Sequence, residues 1–303
     1  MTTNNTQSIV SHYKRATELL TKGHSGAVAL SFDDSRQDLA KQWADLYSLI
    51  KDKPGDVEDA TSKLITGQSQ SIGLSLAMAR CDDVTVFREF KRLLEFVIRI
   101  NQGVAGYLSV VSVPNLHAGF LYMSTAVMAL HHESWAVMQS LLSTPIEWFS
   151  QSERPLYSFG FAHPYLFHPE AFGRSATKTH DFYRKILNQD DLTATTGLRG
   201  ELLLDEYLRT NFLMCLKGAQ LIQQGQHVGM WADFGRFYAQ RVVRLLDRAH
   251  ADRPYGEGMS RSLGESPKEF FSELQARLKI IYRNFWGEGG NYLWESLTSW
   301  EPQ

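Results

Sequence analysis

Three groups of side chains in this chain combine residue types and spacings that chemistry uses. His163 and His168 flank Pro164-Tyr165-Leu166-Phe167, with Pro169 and Glu170 beyond and His180 and Asp181 within reach of a fold-back. Imidazoles and a carboxylate around one ion suit a transition metal, so His163, His168 and His180 are the candidate metal ligands. The opposing reading is an ordered proline-rich loop whose histidines hydrogen-bond to backbone. Arg241, Arg244 and Arg248 fall at i, i+3 and i+7, one basic face of a helix whose other face is Val242, Leu245 and Leu246, and Arg236 and Arg253 extend it. Such a stripe suits nucleic acid or an acidic partner, although Asp233 and Asp247 dilute it. Glu201 and Asp205, at i and i+4, set two carboxylates on one helix face. A di-metal site needs a histidine or a second carboxylate pair at matching spacing, and the sequence offers neither. Glu206 and Arg209 suit an i, i+3 ion pair.

Other groupings carry less. His131, His132 and Glu133 are consecutive, so on a helix they point about 100° apart and do not share the face that a metal needs. Histidines at a helix C-terminus do suit its dipole. Gly287, Gly289 and Gly290 surround Glu288 without the strand before or the Lys-Ser or Lys-Thr after that a phosphate loop requires. They read as a turn. Cys81 and Cys215, the two cysteines, make neither a disulfide framework nor a zinc cluster and read as structural thiols. G-x-S-x-G, H-E-x-x-H and C-x-x-C do not occur. No catalytic residue is assigned, and no cofactor follows from these residues.

The composition bounds what must position these groups. The chain has 303 residues, 43% apolar and 21% charged, with 17 Phe, 12 Tyr and 7 Trp. A packed core is expected, in two closely packed lobes or one elongated array. With 31 basic and 33 acidic side chains the net charge is −2, not the basic excess of a dedicated polyanion binder. Residues 1–7 carry no basic-then-apolar leader, and no apolar run reaches the length of a membrane span. The expectation is a cytoplasmic protein without membrane contact.

Helical periodicity dominates the chain. Ile9, Tyr13, Ala16 and Leu20 make one stripe, closed by Gly23. Asp33 or Asp34 is expected to cap a second helix, with Leu39, Trp43 and Ile50 inward. Asp56 starts a third running to about Arg80, and Asp82 or Asp83 a fourth with Phe87, Phe90, Leu94, Val97 and Ile98 inward. A short helix is expected over 104–113 and another stripe from Leu116 to Leu130. Ser134 should cap a short helix ended by Pro145. Residues 150–175 keep Phe159, Phe161, Tyr165, Phe167 and Phe172 among three prolines and two glycines, which reads as an ordered loop. Helices follow over 179–187, 200–223, 231–246 and from Pro267, with a last one near 294–300. Residues 251–266 read as a polar, glycine-rich surface loop. The fold class is all-α, an irregular array of about ten helices that admits a solenoid-like arrangement. The loop near Ser150 divides an N-terminal lobe, 1–149, from a C-terminal lobe, 150–303.

From about Tyr107 onward the layout resembles the helical regions that lie C-terminal to ATP-binding or DNA-binding modules in bacterial defence-type proteins. The resemblance rests on Gly119-Phe120-Leu121-Tyr122 through Ala129-Leu130, a Trp-bearing short helix at Trp135, the His163-Pro164 loop and the 201–208 helix. It implies a sensing or scaffolding role beside a separate effector, hence a protein partner, and carries no functional residue across. The expected function is a helical scaffold or sensor acting through protein–protein contacts in a bacterial multi-protein system of antiviral defence. The alternatives are a hydrolase with a site near the His163–His180 loop, and nucleic-acid binding through Arg241, Arg244 and Arg248. A homo-oligomer is compatible with each.

Overall fold

The computed structural model describes residues 8–53, 56–100, 110, 113–148, 152–155, 176–226 and 238–284. Among them the chain is all-α, with thirteen helices and one two-stranded hairpin. The first half holds α1 (Ile9–Thr21), α2 (Ser25–Ile50), α3 (Val57–Gly67), α4 (Ser69–Cys81), α5 (Phe87–Arg99), α6 (Val113–His131) and α7 (Trp135–Ser143). The antiparallel pair β1 (Pro145–Trp148) and β2 (Ser152–Pro155) follows. Then come α8 (Ala176–Leu187), α9 (Asp190–Thr196), α10 (Gly200–Gln223), α11 (Tyr238–Ala251), α12 (Arg253–Ser262) and α13 (Pro267–Asn284). No described helix is long and apolar enough to cross a membrane.

The first helix shows how local sequence sets a boundary. Ile9, Tyr13, Ala16 and Leu20 are buried, as their spacing predicts. Gly23 takes φ +76°, and the amides of Gly23 and His24 bond back to the carbonyls of Leu20 and Leu19. These two bonds form a Schellman motif, whose left-handed residue glycine adopts at least cost. The second helix then starts at Ser25, well before Asp33, because Val28 and Phe32 are fully buried and extend the apolar stripe upstream.

The helix expected from Asp56 to Arg80 is two helices, broken at Gln68. At the break the Gly67 carbonyl accepts a hydrogen bond from Gln42 Nε2 at 3.0 Å, so α2 holds the interruption in place. Beyond it α4 lies close against α1. A Cβ on Gly73 would stand 2.7 Å from His12 Cβ and 2.8 Å from the Tyr13 amide nitrogen. Only a residue without Cβ permits that approach.

Helix α6 is the hub. Every residue from Leu116 to Leu130 is buried, and the helix touches α3, α4, α5, α7 and α10. Tyr183 of α8 docks on it with its hydroxyl donating to the Leu116 carbonyl at 2.9 Å, in space left open by Gly119. The next helix is capped from a distance. Ser134 occupies the N-cap position of α7 but makes no capping bond; the Asp82 carboxylate accepts instead from Val137 N at 2.8 Å and Ala136 N at 3.3 Å. Asp82, in the left-handed conformation at φ 50°, therefore serves α7 and not the helix that follows it in sequence. Asp83 turns to Thr85 and Ser25.

Residues 251–266 are not a surface loop. Asp252 caps α12 through Tyr255 N, Pro254 sits in its first turn, and Tyr255, Gly256, Gly258 and Met259 are buried. The glycines let α12 press against the Ala249 carbonyl and the Trp135 ring. Glycine here marks close packing and not a turn. One apolar core runs from Ile9 to Ile281 and joins residues on both sides of Ser150. Contacts of α1 with α9, α6 with α10 and α7 with α12 connect helices far apart in the chain, whereas repeats of a solenoid touch only their neighbours. Of the expected aromatic loop only Ser152–Pro155 is described, as β2; the helices expected at 104–113 and 294–300 lie largely or wholly outside the described residues.

Candidate functional site

A grouping of titratable side chains drawn from several helices lies where α6 ends. His131 is the last residue of α6, and Glu133, at φ +55°, turns the chain toward α7. From α10 come Glu206 and Arg209, one turn apart. Glu206 is only 8% exposed. Its Oε1 lies 3.6 Å from His131 Nδ1 and 3.5 Å from Arg209 Nη1. His132 packs edge-on against His131 with ring centroids 4.9 Å apart. Arg248 of α11 pairs with Glu133 and lies over the Tyr255 ring at 3.9 Å, while Trp135 meets that ring edge-on. Five helices and one turn thus converge on a seat about Glu206.

The electrostatics follow from burial. The His132 imidazole is held below its ordinary range by desolvation, then by His131 and Arg80, against the opposing pull of Glu206. It is therefore neutral at pH 7, with one nitrogen donating and the other accepting. Burial pushes the Tyr255 hydroxyl up to about 12, so it stays protonated, with Arg248 opposing that rise. Two buried nitrogens, His132 Nε2 and Arg209 Nε, have no hydrogen-bond partner among the described residues. The arrangement can accept a hydrogen bond at Glu206 and donate one at Arg209.

The residues singled out from the sequence fare differently. His163 and His168 lie outside the described residues. His180 falls on α8, its side chain likewise outside them. Among the described residues no group of three or more His, Cys, Asp or Glu side chains could hold a metal. Two candidates turn out to answer each other: Arg241 reaches across to α10, pairing with Glu201 at 2.6 Å and with Asp205. Arg248 is engaged as described above, and Arg244 is exposed. Cys215 is buried and Cys81 half-buried, both as free thiols raised by burial. The link between His131 and Glu206 has no signal in the sequence beyond the dipole argument for histidines at a helix end.

A groove of about 390 Å³ opens between α3 and α8, with Asp56, Glu58 and Asp59 on one side and Phe182, Lys185 and Ile186 on the other, Lys185 standing 3.6 Å from Glu58. At the α10–α13 contact, Arg277, 2% exposed, bonds to Glu265 through both Nη atoms and to Gln223 through Nε at 3.1 Å. Lys217 donates to Gln220 and to the Leu263 carbonyl, and Gln220 to Glu265. Every polar group in that network has a partner, the condition under which buried charge holds two elements in register.

Comparison with protein-family models, with curated proteins and with solved structures finds nothing that matches this chain.

Proposed function

We propose that this chain is a helical scaffold or sensor that works through protein–protein contacts in a bacterial multi-protein system, of the antiviral-defence kind its layout resembles. The observation that supports this is how its charged side chains are used. Arg241 joins α11 to α10, Arg248 joins α11 to the turn after α6, and Arg277 ties α13 to the chain before it. They act as clamps between helices around the buried hub α6. A chain built this way holds a fixed shape, as a scaffold must. Engagement of Arg241 and Arg248 with carboxylates of the same chain also weakens the nucleic-acid reading, since two of its three arginines already have anionic partners.

The test is co-expression of the tagged chain with the products of its neighbouring genes in the native host, followed by two-step purification. A stoichiometric partner that stays bound through both steps is expected. A chain that emerges alone with every neighbour expressed refutes the proposal.

A further inference from the structure

We propose that the groove between α3 and α8 docks a partner protein through a segment that presents an arginine. The two walls of the groove differ in chemistry. Asp56, Glu58 and Asp59 stand exposed along the start of α3, while the buried side chains of Phe182 and Ile186 line the groove from α8. Ser62 and Gln189 also line it. Its volume, about 390 Å³, falls at the lower end of the roughly 300–1,000 Å³ that ligand pockets span. That suits one long side chain and the backbone that carries it.

The charge balance selects the occupant. Three carboxylates line the groove against one ammonium, that of Lys185. Acids in a first turn also answer the helix dipole, but the dipole is equivalent to only about half a unit charge, so the groove stays negative. The chain's own cations hold these acids loosely. Lys185 Nζ stands 3.6 Å from Glu58 Oε1, and Asp59 pairs at 2.6 Å with Lys63, in both cases between exposed side chains. Exposed pairs of this kind are worth about 0–1 kcal/mol, so another cation displaces them at little cost. Asp56 makes no capping bond to α3. An arginine answers both walls. Its apolar stem covers Phe182 and Ile186 while its charged head meets the acids, and its planar fork of donors can bridge two carboxylates where an ammonium acts as a point charge. An acidic segment is repelled, and a neutral one leaves the carboxylates unanswered. Docking here rests on the scaffold reading proposed above and gives that scaffold a surface.

The full chain is titrated with the capped tripeptides Leu-Arg-Leu, Leu-Gln-Leu and Leu-Glu-Leu, and with butylguanidinium, a guanidinium head and stem without a backbone. Amide resonances of α3 and α8 are followed by NMR. Leu-Arg-Leu is expected to shift Glu58, Asp59, Ser62 and Lys185, and to bind at least about tenfold more tightly than the other three probes, a difference of about 1.4 kcal/mol. The preference should vanish in the double variant Glu58→Gln, Asp59→Asn, whose exposed positions leave folding intact. In Lys185→Gln the affinity should rise about two- to fivefold, because the competing ammonium is gone. Butylguanidinium binding as tightly as Leu-Arg-Leu means that the groove takes a small cation, and overturns the proposal. Absent binding of Leu-Arg-Leu, shifts spread over acidic surface outside the groove, a preference that survives in the double variant, or an affinity unchanged or weakened in Lys185→Gln overturns it as well. In co-purification, a partner retained equally by the parent and by the double variant leaves the scaffold reading standing and overturns this one.

Discussion

His117 lies in the hub helix α6 with no exposed surface, and neither ring nitrogen has a hydrogen-bond partner among the described residues. Burial alone lowers its pKa from the ordinary 6.5 to about 3. Between those values the unfolded chain binds a proton that the folded chain refuses, so stability falls as pH falls. The contribution of one such group is RT ln[(1 + 10^(6.5−pH))/(1 + 10^(3−pH))], taking both values from the same site. It amounts to about 0.2 kcal/mol at pH 7 and about 2 kcal/mol at pH 5, so the chain loses roughly 2 kcal/mol over that interval through His117. In His117→Leu this loss should disappear, with stability at pH 7 near that of the parent because the orphaned nitrogens go with the ring. Urea unfolding of both proteins at pH 7 and pH 5 measures it. With a slope of ~3 kcal/mol per molar, the parent midpoint should fall about 0.7 M further than that of the variant. Equal losses in the two proteins would show that His117 takes up no proton on unfolding and would refute the argument from burial.

Other outcomes follow from contacts already described. Arg277→Met should destabilise by about 3–5 kcal/mol, because it strips the largely buried Glu265 carboxylate of its ion-pair partner and leaves it only the Gln220 hydrogen bond; thermal unfolding of the variant checks this. Gly73→Ala should cost about 1–3 kcal/mol, since the new Cβ meets the α1 backbone. Gly26→Ala, where nothing lies within 4 Å, should instead stabilise by about 0.4–1 kcal/mol; a reversed order in paired melts would show that helix spacing is not the cause. Asp82→Ala should cost about 1 kcal/mol and speed amide exchange at Ala136 and Val137, leaving the start of α5 unaffected.

How far the fold was legible depended on where its causes lie along the chain. The bounds of α10, Gly200–Gln223, follow from its own periodicity, and the start of α13 from Pro267. The C-terminus of α1 was readable because its glycine sits in the motif itself. By contrast, the break at Gln68 depends on Gln42, and the cap of α7 on Asp82, 55 residues before Val137. No local window contains both halves of either interaction. The helix α12 was misread because glycine favours turns in isolation, and only the proximity of Trp135 and Ala249 reveals a packing use. The same limit hid the candidate site. His131 and Glu206 were visible as single residues, but their convergence with Tyr255 is tertiary. The acidic pair Glu201 and Asp205 and the arginine stripe were each identified, while their mutual pairing was not.

The burial of α6 also shapes how the chain is made. Its last residue, His131, leaves the ribosome before the end of α10, Gln223, by 223 − 131 = 92 residues. At roughly 5–20 residues per second, α6 waits on the order of 5–20 s for one of its covering helices. During that interval a helix whose residues 116–130 are all buried in the folded chain is open to other nascent chains. Fragments ending between 131 and 200 should therefore collect in the insoluble fraction or on chaperones, and slower translation of the 176–223 segment should lower the yield of folded protein.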